Sequence, residues 1–192
     1  MALHFYYAVT FGGFSGLASS LAIYFNTQYR LDAVSAGYCT AACVFAGSLV
    51  RPVGGAIADR FGGVRVLSAL YGLAAVALAA VSFGFASFAL GFASLMAAML
   101  AFGMGNGAVF QLVPQRFRAE MGVMTGLVGM TGGVGGFYLA SSLGVARQMT
   151  GSYQAGFLVF ATLAVVALAL LTRVKRRWRS NWSLDGYASA RI

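Results

Sequence analysis

VLSALYGLAAVALAAVSFGFASFALGFASLMAAMLAFGMGNGAVFQLVPQ, residues 66–115, decides the fold: between Arg65 and Arg116 the chain carries no formal charge. As one straight helix rising ~1.5 Å per residue it would run more than twice the ~30 Å of a bilayer's hydrocarbon core. It must therefore cross, turn and cross again. The turn is placed at Ser82-Phe83-Gly84-Phe85-Ala86-Ser87, with one span at about 66–81 and the next at about 88–113.

Working outward, the same reading gives spans at about 3–26, 34–58, 121–146 and 153–172, each about the twenty apolar residues that a crossing needs. The first stops at the polar Thr27, Gln28, Arg30, Asp32 cluster and the second at Asp59-Arg60. Residues 1–173 then form a six-helix transmembrane bundle, and 174–192 form a basic cytoplasmic tail. The fold class expected is an all-α membrane protein. Composition agrees, with 60% hydrophobic and 9% charged residues and a mean hydropathy of +0.81, where a soluble domain has about a quarter charged. The N-terminal stretch has no basic segment ahead of it and is as long as a span, so it reads as a span and not as a cleaved leader.

The net charge of +9 sits in short clusters between apolar runs, which marks topology and not a nucleic-acid surface. Arg60, Arg65, Arg116, Arg118, Arg191 and the cluster Arg173, Lys175, Arg176, Arg177, Arg179 fall on one side; Arg30 and Arg147 fall on the other. By the positive-inside rule both termini are cytoplasmic, in a cell (inner) membrane.

Arg51 is the residue that does not belong in lipid. It lies about eight residues before Asp59, so ~12 Å from the span's end, at a depth where a guanidinium costs at least ~3 kcal/mol. None of the four Asp and Glu falls within a span, so the chain offers no internal counter-ion. An anionic solute is the better partner, and a planar oxyanion suits the guanidinium's two parallel donors. Pro52 frees a carbonyl near Ser48 and bends the helix there. Gly47, Arg51 and Gly55 share one face.

Tyr7 and Phe11 recur at helical spacing with His4 and Phe14. The phenylalanines read as packing, Tyr7 as a hydroxyl donor to the anion, and His4 as an interfacial residue. Gly122, Gly126, Gly129, Gly133 and Gly136 form a stripe on the fifth span, with Gly132 and Gly135 beside it. Such a stripe serves close packing, or a helix that slides, bends or brings bare backbone to a ligand. Asn106, among Gly103, Gly105 and Gly107, carries an amide that needs satisfying. Cys39 and Cys43 share a face but lack further ligands, so no metal is expected. Without a nucleophile–base set, a Walker loop or a dinucleotide fingerprint, no enzyme activity and no cofactor are expected.

Four segments resemble the nitrate/nitrite porters of the major facilitator superfamily, in their C-terminal half. Gly55-Ala-Ile-Ala-Asp59-Arg60-Phe61-Gly62-Gly63-Val64-Arg65 is similar to the superfamily's cytoplasmic loop motif. Gly126-Leu-Val-Gly-Met-Thr-Gly-Gly-Val-Gly-Gly-Phe137 is similar to the nitrate signature of the eleventh helix. Gly105-Asn106-Gly107-Ala108-Val109-Phe110-Gln111-Leu112-Val113-Pro114 resembles the tenth helix, and Arg51-Pro52-Val53-Gly54-Gly55 the eighth.

The resemblance implies alternating access for nitrate or nitrite, with Arg51 and Tyr7 on the anion. Together with the residue reading it yields a substrate set of Arg51, Tyr7, Phe11, Asn106, Gly129, Gly132 and Gly133. The conformational set is Gly55, Asp59, Arg60, Gly62 and Arg65. Such porters have twelve helices, so an N-terminal six-helix half is expected as a missing segment or a separate chain, ahead of a homodimer. The expected partners are thus the anion, the bilayer and that second bundle, with no nucleic acid. A facilitator for an organic anion or drug, or a membrane scaffold without transport, are the alternatives.

Overall fold

The computed structural model describes residues 2–116 and 121–182. They form seven helices and, among the described residues, no strand. The helices are α1 (Ala2–Tyr29), α2 (Ala33–Leu49), α3 (Arg51–Phe61), α4 (Gly63–Ser82), α5 (Phe88–Arg116), α6 (Met121–Thr150) and α7 (Gln154–Trp182). Six stretches are long and apolar enough to cross a membrane, because α2 and α3 together make one crossing, Ala33–Phe61. The chain is a multi-pass membrane protein.

Sequence accounts for each interruption. α1 ends where Arg30 takes a left-handed conformation at φ 54°, and Asn26 Nδ2 donates to the Leu31 carbonyl at 2.7 Å. Asp32 then caps α2, its Oδ2 accepting from the backbone N–H of Val34 at 3.1 Å and of Ser35 at 3.0 Å. Those bonds, with Ser35 foremost, hold the exposed Asp32 carboxyl below its ordinary range. The cap is therefore complete above the usual carboxylate range and is lost as pH falls through the lowered value.

The break between α2 and α3 falls one residue before Arg51. Val50 keeps a near-helical conformation (φ −81°, ψ −4°), and the ladder resumes with Gly54 N–H on the Val50 carbonyl at 2.9 Å. Pro52 has no N–H for the Ser48 carbonyl, which explains the break. At the far end Gly62 joins α3 to α4 at φ 94°, ψ 127°, a region that L side chains enter at a cost of about 1–3 kcal/mol. Gly62→Ala should accordingly lower the thermal unfolding midpoint in detergent while leaving ligand affinity intact; an unchanged midpoint would show that the turn relaxes.

The reversal between α4 and α5 occupies residues 83–87, with Gly84 at φ 69°. α7 runs on to Trp182, so the first part of the basic segment 174–192 continues the helix of the sixth span. The side chains of Lys175, Arg176, Arg177 and Arg179, and all of Arg118 and Arg191, lie outside the described residues.

α1 packs against α2, α5, α6 and α7, and α5 against α1, α2, α3, α4 and α6. Lipid tails are as apolar as side chains, so burial from water does not hold helices together there; close backbone approach and dispersion do. Gly12 and Gly16 of α1 meet Gly135, Gly136, Leu139 and Ala140 of α6, and Gly47 and Gly54 meet Met99, Gly103 and Met104 of α5. At the end of the bundle holding Arg30 and Arg147, rings of Tyr24, Phe25 and Tyr29 of α1 pack edge to face with Phe88 of α5, Phe157 of α7 and Tyr153 just before α7, and Phe92 lies tilted against Phe25 and Phe88. The second and fifth spans are the least enclosed: 17% and 22% of their most apolar windows are buried, against 39–56% for the other four.

Candidate functional site

Arg51 opens α3 immediately after the break, so its side chain leaves the helix where the backbone ladder is weakest. It is half-buried. The guanidinium carbon stands 4.7 Å from the centre of the Phe14 ring and 5.6 Å from that of Phe11. It points into the bundle and not at lipid tails. Its Nε is buried with no hydrogen-bond partner among the described residues. The carboxylates among those residues are Asp32, which caps the opposite end of α2, and Asp59, exposed two turns farther along α3.

Three other predicted residues, Phe11, Tyr7 and Gly132, gather beside it. Tyr7 is buried and stacks on Phe11, ring centres 5.3 Å apart and planes 13° from parallel. The Phe110 ring meets Tyr7 edge-on at 4.8 Å. Gly132 lies under both α1 rings; a Cβ there would come within 2.5 Å of the Tyr7 ring, so glycine lets the rings pack against α6. Asn106 is buried on α5 with neither Nδ2 nor Oδ1 hydrogen-bonded among the described residues.

The glycine stripe divides. Gly132, Gly135 and Gly136 pack against α1, whereas a Cβ on Gly122, Gly126, Gly129 or Gly133 would meet nothing within 4 Å. Gly129 and Gly133 thus lie on the uncovered face of α6, away from the cluster around Arg51. The loop-motif residues also stand apart: Asp59, Arg60 and Arg65 are exposed at the bundle's end, where Arg60 lies 5.4 Å over the Phe61 ring. Gly55 alone of that set reaches the site's backbone, 3.7 Å from Gly107 by its Cβ position.

His4 is half-buried between α1 and α6, its Nδ1 without a partner and its carbonyl accepting from Thr131 Oγ1 at 3.3 Å. Cys43 is buried in packing and Cys39 half-buried, and among the described residues no group of His, Cys, Asp and Glu is arranged to hold a metal.

Phe14, read as packing, is the ring nearest the guanidinium; its spacing of seven from Tyr7 was the available signal. No sequence signal marked Tyr71, whose hydroxyl donates to the Tyr6 carbonyl at 2.7 Å. Thr10 Oγ1 donates to the same carbonyl at 3.2 Å, so the turn of α1 that carries Tyr7 is held from two sides.

Six spans with the Arg51 side chain turned into their interior define a multi-pass membrane protein. The chain belongs to the Major Facilitator Superfamily, whose sequence model matches residues 3–184. It is 33% identical over 172 residues to the nitrite extrusion protein of Bacillus subtilis, covering 88% of this chain and 42% of that protein. Over 176 residues it is 30% identical to the probable nitrate transporter NarT of Staphylococcus haemolyticus, covering 91% and 45%. Against the probable nitrate/nitrite antiporter NarK1 of Thermus thermophilus it is 30% identical, covering 94% and 47%. The chain thus spans less than half the length of these relatives.

Proposed function

We propose that this chain is the C-terminal six-helix half of a nitrate or nitrite transporter that works by alternating access, with Arg51 capturing the anion near mid-membrane. The observation that carries the reading is the Arg51 guanidinium, an interior cation resting on two aromatic faces with a buried Nε that has no acceptor among the described residues. Cation–π contact supplies up to ~2 kcal/mol in a desolvated site, less than the ~3 kcal/mol or more that placing the charge there costs. A planar oxyanion closes the gap, since each hydrogen bond to a charged group contributes ~1.5–3 kcal/mol. Tyr7 adds a hydroxyl and Phe11 a flat wall. The names of the relatives supply the anion class.

A second six-helix bundle is the partner this reading requires. The two least-enclosed spans carry Arg51 and the open glycines of α6, and a bundle seated on them would shut the anion away from lipid and water. The greater length of the relatives supports such a bundle, in the same polypeptide or in another chain; a second copy of this chain is the lesser alternative. Neutralising Arg51 lowers the cost of closing a dry compartment around it, so the anion favours the occluded state. Positive-inside counting puts both termini in the cytoplasm of a cell-membrane protein.

The test is thermal unfolding of the assembled protein in detergent, titrated with sodium nitrate against sodium chloride at equal ionic strength. Nitrate should raise the midpoint progressively with the logarithm of its concentration, as ligand linkage requires. A response equal to that of chloride would overturn the anion assignment.

A further inference from the structure

Asn106 stands in the middle of α5, 1% exposed, with both ends of its carboxamide unpartnered among the described residues. In that state the group bears the full desolvation penalty of a donor and of an acceptor. Its direction follows from its neighbours. Phe102 and Phe110 lie one turn to either side on the same face of α5. The Phe102 ring lies 2.7 Å from where a Cβ on Gly13 of α1 would stand, and the Phe110 ring meets Tyr7 of α1. Asn106 therefore faces α1 between Tyr7 and Gly13.

Arg51 reaches the same layer. Gly107, the next residue of α5, brings its backbone against the Arg51 carbonyl, and the Arg51 side chain extends toward Phe11 and Phe14 of α1. Among the described residues its Nε is a buried donor with no acceptor, and Asn106 Oδ1 a buried acceptor with no donor.

We infer that Asn106 is a positioning residue for Arg51: when an anion draws the guanidinium off the two rings, Oδ1 accepts the Nε–H and turns the terminal amino groups toward the anion, leaving Nδ2 to donate to it. Arg51 then has two stations, the aromatic rings when empty and Asn106 when loaded. A fixed guanidinium plane matters for a flat oxyanion, which takes two parallel bonds, and little for a spherical halide. Asn106 thereby sets selectivity for planar anions over chloride. The inference rests on the anion reading above.

Nitrate and chloride titrations of the assembled protein, read by thermal unfolding, test it in Asn106→Leu and Asn106→Asp. Asn106→Leu removes an unsatisfied polar group, so the anion-free midpoint should hold or rise, while nitrate affinity falls about tenfold, the loss of roughly one charge-assisted bond. Chloride affinity should barely change. Asn106→Asp places a carboxylate beside Arg51 and should abolish the nitrate response in a folded protein. Unchanged nitrate affinity in Asn106→Leu overturns the inference, and so does an equal loss for nitrate and chloride. If Asn106→Leu does not fold, nitrate affinity retained by Asn106→Asp overturns it instead. The unsubstituted protein separates the two levels: if it fails to respond to nitrate, the anion reading falls; if it responds and the variants match it, only the role of Asn106 falls.

Discussion

Arg51→Lys is expected to weaken nitrate binding by about ten- to a hundredfold while the protein still folds, because lysine keeps the charge and gives up the planar pair of donors. Loss of one charge-assisted hydrogen bond, ~1.5–3 kcal/mol, corresponds to that range at about 1.4 kcal/mol per decade. Arg51→Ala should abolish the response, and its anion-free stability should not suffer, since a costly interior charge is gone. The measurement is the nitrate-dependent unfolding midpoint together with nitrate flux in liposomes. Full affinity in Arg51→Lys would remove the bidentate role, and transport by Arg51→Ala would remove the site.

Gly107→Val should be severely damaging. A Cβ at Gly107 would overlap the Arg51 carbonyl and come within 2.9 Å of the Gly55 nitrogen. Both are backbone atoms and cannot rotate away, so α5 and α3 would have to part. Gly103 repeats the situation one turn earlier against Gly47, whose Cα lies 3.0 Å from the Cβ position. Overpacking of this kind costs typically 1–3 kcal/mol, and more for a branched side chain forced against backbone. The expected result is a sharply lower yield of folded protein, and weakened nitrate affinity in whatever folds, since the displaced α3 carries Arg51. Gly37→Val is the matched control, because nothing lies within 4 Å of its Cβ position. Equal midpoints for the two variants would show that α5 does not set the position of Arg51.

The chain's course through the membrane was legible because charge is so scarce: uncharged runs separated by Asp59-Arg60, Arg65 and Arg116 admit few ways to thread a bilayer. The interior cation was legible for the same reason, one arginine standing among apolar residues. Asn106 could be flagged as a polar group needing a partner, since a carboxamide is costly in lipid wherever it points.

The division of the glycines was not legible. A helical wheel groups Gly129 and Gly133 with Gly136, yet only Gly136 faces α1. Periodicity defines a face but not what covers it. For the same reason Phe14 read as packing, although its ring lies nearest the guanidinium.

Composition and the order of residues alone determined that six helices cross a membrane and that a lone positive charge travels inside with them, because the energy of moving charge or bare backbone into hydrocarbon is local and is set residue by residue. Which rings receive that charge, which glycines weld α1 to α6 and α5 to α3, and which are left bare were decided only by the tertiary structure. Those contacts join residues far apart in the chain, and close packing between helices depends on their mutual rotation and crossing, which no run of residues specifies by itself.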